Sequence, residues 1–160
     1  MRIAYIDMQN IKLWIRELWW ELDRNRLYVY LIDHYHLDEI GLYVWYMMEK
    51  MDEYDGLKTI GYRIYYKSTH QRWWRVKWNI DTLLSHIATK HVDFGIVDFA
   101  ILLSGDGDFD VIAKYWRRSG IWLRWIVPNE YKLSSLITSF VQPNELIYCS
   151  TLQHKIQKTT

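Results

Sequence analysis

The sequence predicts an α/β fold: a three-layer α/β/α sandwich around a mainly parallel central sheet. Three observations carry this expectation. Short apolar runs alternate with helical stretches along the chain, the pattern of βαβ units. Phe99–Leu103 is continuously apolar, as a strand buried on both faces must be. Acids follow strand ends, at Asp7 and again at Asp106 and Asp108, where parallel sheets gather their ligands. At 160 residues, 50% of them hydrophobic, the chain fits one domain over 1–160. A chain of that size buries roughly 70% of its unfolded surface without needing staples.

Each element follows from its local pattern. Residues 3–7 are a β-leaning run that ends in an acid. Residues 10–22 place Ile11, Leu13, Trp14, Leu18 and Leu22 at helical spacing, and a second helix covers Arg24–Tyr35. Tyr, Val and Trp enrich 41–48, which reads as a strand. A short helix over 49–60 is closed by Gly61, and 62–67 is another strand. Residues 68–78 are polar, basic and aromatic without periodicity, and read as a loop or irregular hairpin. A helix over 80–90 precedes the central strand at Phe99–Leu103. Beyond it come a helix over 109–119 ended by Gly120, a strand over 121–127 closed by Pro128-Asn129, and a helix over 133–141. A last short strand covers 146–149, and the tail beyond Ser150 forms a short helix.

Composition excludes some classes of function and leaves others open. A net charge of +1 does not announce a nucleic-acid binder, so any such attraction must come from a local patch. Cys149 is the single cysteine, which rules out an intrachain disulfide and a Cys-rich zinc site. Asp7 and Lys12 interrupt the early apolar stretch, so no signal peptide is expected. No apolar run reaches the roughly 18 residues of a membrane helix. The expectation is a soluble cytoplasmic protein. The 10 Trp and 13 Tyr fill a core, stack on bases, or mark a diversified sequence, and composition alone does not choose.

Clustered carboxylates point to chemistry. Acids that share a cleft repel one another and lose hydration, which pushes some toward the protonated form. A hard divalent cation removes that cost; magnesium takes oxygen ligands and keeps several waters. Such waters supply a nucleophile while the ion stabilises charge on a phosphoryl oxygen. Asp7, Asp106 and Asp108 fit this requirement, Asp81 at a helix start is a fourth candidate, and Asn10 could orient a water or a phosphate. Each acid alone is equally well read as a helix cap or strand-end turn; their common placement at strand ends and helix starts favours a site. An EF-hand starting at Asp106 would need Gly at its sixth position and Glu at its twelfth, which hold Val111 and Arg117. A Walker loop would need Lys and Ser or Thr after the second glycine, and they are absent. The Gly105 and Gly107 pair reads as a tight strand-to-helix turn.

Four motifs in order carry a resemblance: Tyr5-Ile6-Asp7-Met8-Gln9-Asn10, Lys77-Trp78-Asn79-Ile80-Asp81, Ser104-Gly105-Asp106-Gly107-Asp108-Phe109, and Val127-Pro128-Asn129 with Ser134-Ser135-Leu136. Together they resemble the NYN domain of the PIN-like nuclease superfamily, with the LabA-like subgroup most similar. The resemblance implies an acidic Mg2+ or Mn2+ site that hydrolyses RNA, with Asp7, Asp81, Asp106 and Asp108 as metal-site acids. It implies Asn10 and Ser104 as polar partners at the same edge, with Ser104 among the nucleic-acid contacts; Asp98 resembles an acid that precedes the family's central strand, and a structural role is expected for it. The sequence departs from the family pattern at Trp78, where a small residue is common, and at Trp73 and Trp74 in a usually polar loop.

That loop interleaves Lys67, Arg72, Arg75 and Lys77 with Trp73, Trp74 and Trp78, the composition that holds single-stranded nucleic acid by phosphate neutralisation and stacking. Equally, the indoles pack on the sheet or on a partner subunit, as in a homodimer, while the cations stay solvated. His70, His86 and His91 lack ligand spacing, and Cys149 reads as buried and inert. Three functions remain from the sequence: a metal-dependent ribonuclease acting on single-stranded RNA, a catalytically silent module that binds RNA or a protein, and an engineered variant of either.

Overall fold

The computed structural model describes residues 1–67 and 80–159. Their elements run β1 (Arg2–Asp7), α1 (Met8–Arg16), α2 (Arg24–Tyr35), β2 (Glu39–Trp45), α3 (Met51–Ile60), β3 (Arg63–Lys67), α4 (Ile80–Asp93), β4 (Phe99–Leu103), α5 (Asp110–Arg118), β5 (Trp122–Val127), α6 (Ser135–Thr138), β6 (Leu146–Tyr148) and α7 (Cys149–Ile156). The strands form one sheet in the order β3-β2-β1-β4-β5-β6, and each neighbouring pair is parallel. From β1 the chain steps outward to β3, returns through α4, and steps outward the other way from β4. The order therefore reverses between β1 and β4, the place where doubly wound sheets open a crevice at their carboxyl ends.

Strand alternation explains the three layers. Ala4 and Ile6 join α1, α2, α3 and α7 in a core of aliphatic residues that includes Leu27, Leu31 and Leu57. Ile3 and Tyr5 point the other way, into a core with α4, α5 and α6 that holds Trp116 and Trp125. Successive side chains of a strand face opposite sides, so a central strand must be apolar throughout. The abundant aromatics largely serve this packing: Trp116, Trp125, Tyr5 and Tyr43 are among the largest fully buried side chains.

Several boundaries differ from the sequence expectation, each for a local reason. Helix α1 starts two residues earlier than predicted because the Asp7 carboxylate accepts the Asn10 backbone N–H at 3.2 Å. It stops at Arg16 rather than 22: Trp19 takes a left-handed backbone (φ 64°), and Leu22 bridges antiparallel to Gln157 instead of extending the helical stripe. Strand β2 runs from Glu39 to Trp45, not 41–48, its register set by pairing of Ile3 with Glu39 and Asp7 with Tyr43. Of the predicted helix over 133–141 only the single turn of α6 forms, preceded by a 3-10 turn at Glu130–Lys132. There the Asn129 and Ser134 side chains accept the backbone N–H groups of Tyr131 and Leu136, at 3.0 and 3.3 Å, in competition with a continuous helix. Among the described residues no helix is long and apolar enough to cross a membrane.

Candidate metal centre

The topology brings distant acids to one edge. Asp7 ends β1, the segment 104–108 follows β4 directly beside it, and Ile6 is paired with Leu103. Asp81 arrives on the first turn of α4, whose buried residues Ile80, Leu84 and Ala88 pack with Tyr5 and Tyr43. As a result one carboxylate oxygen from each of Asp81, Asp106 and Asp108 lies within 4.8 Å of the others. Asp81 and Asp106 are half-buried and Asp108 is exposed, so the group is anchored below and open above.

Local bonds hold the turn in shape. Ser104 Oγ accepts the Asp106 backbone N–H at 3.1 Å, and Asp106 Oδ1 accepts that of Asp108 at 2.9 Å. Asp106 is thus both a member of the cluster and the cap of a 3-10 turn over Gly107–Phe109. The cap reading of Asp106 holds, and its place in the cluster is compatible with it. Trp125 Nε1 donates to the Ser104 carbonyl at 2.6 Å, which ties the turn to β5. Ser104 itself, expected among nucleic-acid contacts, is fully buried and braces the turn from below.

The glycines have a different reason from the one expected. Neither Gly105 nor Gly107 has a positive φ. They are places of close approach: a Cβ on Gly105 would lie 1.7 Å from the Trp14 ring, and one on Gly107 would lie 2.3 Å from Ser134 Oγ. Trp14 and Ser134 therefore set the height of the acidic turn; the sequence placed Trp14 on a helical stripe and Ser134 in a family motif, but not against these glycines. The glycine spacing was a usable signal, since side chains that crowd a glycine leave no other trace in sequence.

Asp7 stands beside the cluster but outside the 4.8 Å group, because its carboxylate turns into the N-terminus of α1. It is 6% exposed. Burial first, then the neighbouring Asp81 and Asp106 carboxylates, push it up to about 6, against the lowering effect of the Asn10 N–H. Asn10 uses its side-chain oxygen to accept the Gly105 backbone N–H at 3.3 Å, so it fastens α1 to the acidic turn. Lys67 closes β3 half-buried, its carbonyl accepting the Tyr46 N–H at 3.0 Å. Arg72, Trp73, Trp74, Arg75, Lys77 and Trp78, like His70, lie outside the described residues.

The remaining candidates have structural settings. Asp98 precedes β4 at the opposite end from the cluster, and its carbonyl accepts the Trp122 N–H at 3.1 Å. His91 Nδ1 lies 2.9 Å from the Tyr5 hydroxyl in the core, and burial lowers its pKa. Cys149 is buried, which pushes its thiol up to about 12.

The donor set suits a hard divalent cation. Among the described residues it offers one carboxylate oxygen from each of three acids within 4.8 Å, and no thiolate or imidazole that would select a soft metal.

Comparison with known proteins agrees with this architecture. The NYN domain family matches residues 2–142. A crystal structure of a protein of unknown function from Vibrio parahaemolyticus is similar at TM-score 0.71 and 20% identity, over 98% of this chain and 96% of that one. At that identity the likeness speaks for the fold. No curated protein matches.

Proposed function

The chain belongs to the NYN domain family, within the PIN-like nuclease superfamily, and from that premise we propose that it hydrolyses phosphodiester bonds of single-stranded RNA with Mg2+ or Mn2+. The observation that carries the reading is the convergence of Asp81, Asp106 and Asp108 at the point where the strand order reverses. These three would hold the ion, and Asp7 would add a buried charge beside it. When bound, such an ion supplies Lewis acidity toward a phosphoryl oxygen. The chain contributes position: Ser104, Trp125 and Trp14 fix the turn, Asn10 joins it to α1, and the exposed Asp108 is where an extended strand would approach. Motif order supports the LabA-like subgroup as the finer assignment, and a lone buried thiol suits a reducing cytoplasm.

Asp106→Asn is the informative variant. Asparagine caps a helical turn about as well as aspartate, so the fold is preserved while one ligand charge is removed. Manganese-dependent cleavage of single-stranded RNA by the unaltered chain is expected to fall by at least about 100-fold in this variant. Cleavage that persists at the original rate would sink the assignment.

A further inference from the structure

A second feature lies on the layer formed by α1, α2 and α3. The segment after α1 presents the Trp19 indole 96% exposed, on a left-handed backbone at φ 64°. A bulky residue in that region is a genuine outlier, and a fully solvated indole gains nothing from burial to offset it. Such outliers gather where function requires them. Trp19 and Trp20 line a groove of about 900 Å³ together with Lys12, Arg16, Arg24 and Lys158.

The charges of this groove are unevenly matched. Lys12 and Arg24 share one carboxylate, that of Glu53, which leaves a positive excess. Lys158 is matched by Glu21, and the Asp23 carboxylate is turned into the N-terminus of α2, accepting the Arg26 N–H at 3.0 Å. Arg16 makes no ion pair among the described residues. An indole face beside Arg16, and beside two cations that share a single carboxylate, is the combination that grips a flexible single strand: bases stack, and phosphates neutralise the excess positive charge. Lys12 and Arg16 are four residues apart on one flank of α1, whereas Asn10 and Trp14 face the acidic turn from the other. At about 1.5 Å per residue, Arg16 lies roughly 13 Å along α1 from Asp7.

We propose that this groove is an anchoring site for single-stranded RNA, with a base stacked on Trp19 and backbone phosphates on Arg16 and the Lys12–Arg24 pair. The proposal rests on the reading of the chain as a ribonuclease, and it adds a contact remote from the bond cleaved.

The test measures binding of a fluorescently labelled single-stranded oligouridylate by anisotropy, at low and moderate salt. All chains carry Asp106→Asn so that turnover does not interfere. Trp19→Gly is expected to weaken binding roughly 5- to 100-fold, the loss of one stacked base. Glycine relieves the left-handed backbone, so the same variant is expected to melt no lower than its parent, and loss of binding cannot be blamed on unfolding. Trp19→Phe should restore much of the affinity, and Arg16→Ala should reduce the salt slope by about one.

Unchanged affinity in Trp19→Gly, with the parent binding RNA, overturns the groove and leaves the cleavage assignment intact. No binding by the parent at low salt overturns the groove, and cleavage by the unaltered chain then decides the nuclease reading separately. Loss of self-association in Trp19→Gly with unchanged RNA affinity makes the groove a protein interface and overturns the proposal. RNA binding that depends on Trp19, in a chain whose unaltered form does not cleave, upholds the groove while the nuclease reading falls.

Discussion

At the scale of single residues, Asp7 and Gly105 show how a site imposes costs on the fold that carries it. The carboxyl of Asp7 is raised to about 6 by burial and by Asp81 and Asp106. The folded chain therefore retains a proton that the unfolded chain releases between about pH 4 and 6, and stability falls as pH rises through that window. Asp7→Asn keeps the cap of α1 and removes the buried charge. Without divalent ions, the variant should be more stable than its parent by up to about 3 kcal/mol at neutral pH, and equal to it below pH 4. Urea denaturation in the presence of a chelator checks this, and a variant less stable at neutral pH would contradict it. Gly105 is held against the Trp14 ring. Gly105→Ala should cost about 1–3 kcal/mol from overpacking, and much of that loss should vanish when Trp14→Ala is combined with it. Simple additivity of the two changes would mean that the ring does not set the turn.

At the scale of elements, the acidic turn is shaped by its neighbours more than by its own sequence. Strand β5 reaches it through the Trp125 indole, which satisfies the buried Ser104 carbonyl at 2.6 Å. Trp125→Phe removes that N–H together with part of a fully buried indole, and should cost about 2–4 kcal/mol in thermal or urea unfolding. Trp122, at the other end of the same strand, is 75% exposed, and Trp122→Phe should change stability by less than about 0.5 kcal/mol. A cost at Trp125 no larger than the cavity alone explains, about 1 kcal/mol, would remove the special role given to the indole N–H. Helix boundaries teach the same lesson. Helix α2 was legible to the residue over Arg24–Tyr35, and in the structure Asp23 caps it while Leu27, Leu31 and Tyr35 are buried. The end of α1 was not, since Leu18 and Leu22 continue the helical spacing while the chain turns at Trp19 to pair with Gln157.

At the scale of the whole molecule, a cluster of three carboxylates couples metal to folding. An ion that binds the native cluster and not the unfolded chain stabilises by about 2.7 kcal/mol at a hundred times its dissociation constant. For a chain of this size that is a rise of roughly 5–10 °C in melting temperature. Mn2+ or Mg2+ should produce such a rise in the unaltered chain and little in Asp108→Asn. Identical shifts in both would place the ion elsewhere.

The division between what sequence and tertiary structure settled follows from the range of the interactions. The sequence by itself determined the α/β class, the order of elements, the both-faces burial of Phe99–Leu103 and the acids at strand ends. Each of these is written in local periodicity or in a short motif. Only the tertiary structure decided that β1 and β4 are neighbours, and hence that Asp81 joins Asp106 and Asp108 while Asp7 turns aside to cap α1. It also decided that Gly105 and Gly107 make room for Trp14 and Ser134, and that Trp19 stands in solvent while Trp116 and Trp125 are buried. Strand pairing and side-chain contact join residues far apart in the chain, and no local pattern encodes which distant surface a glycine or an indole will meet.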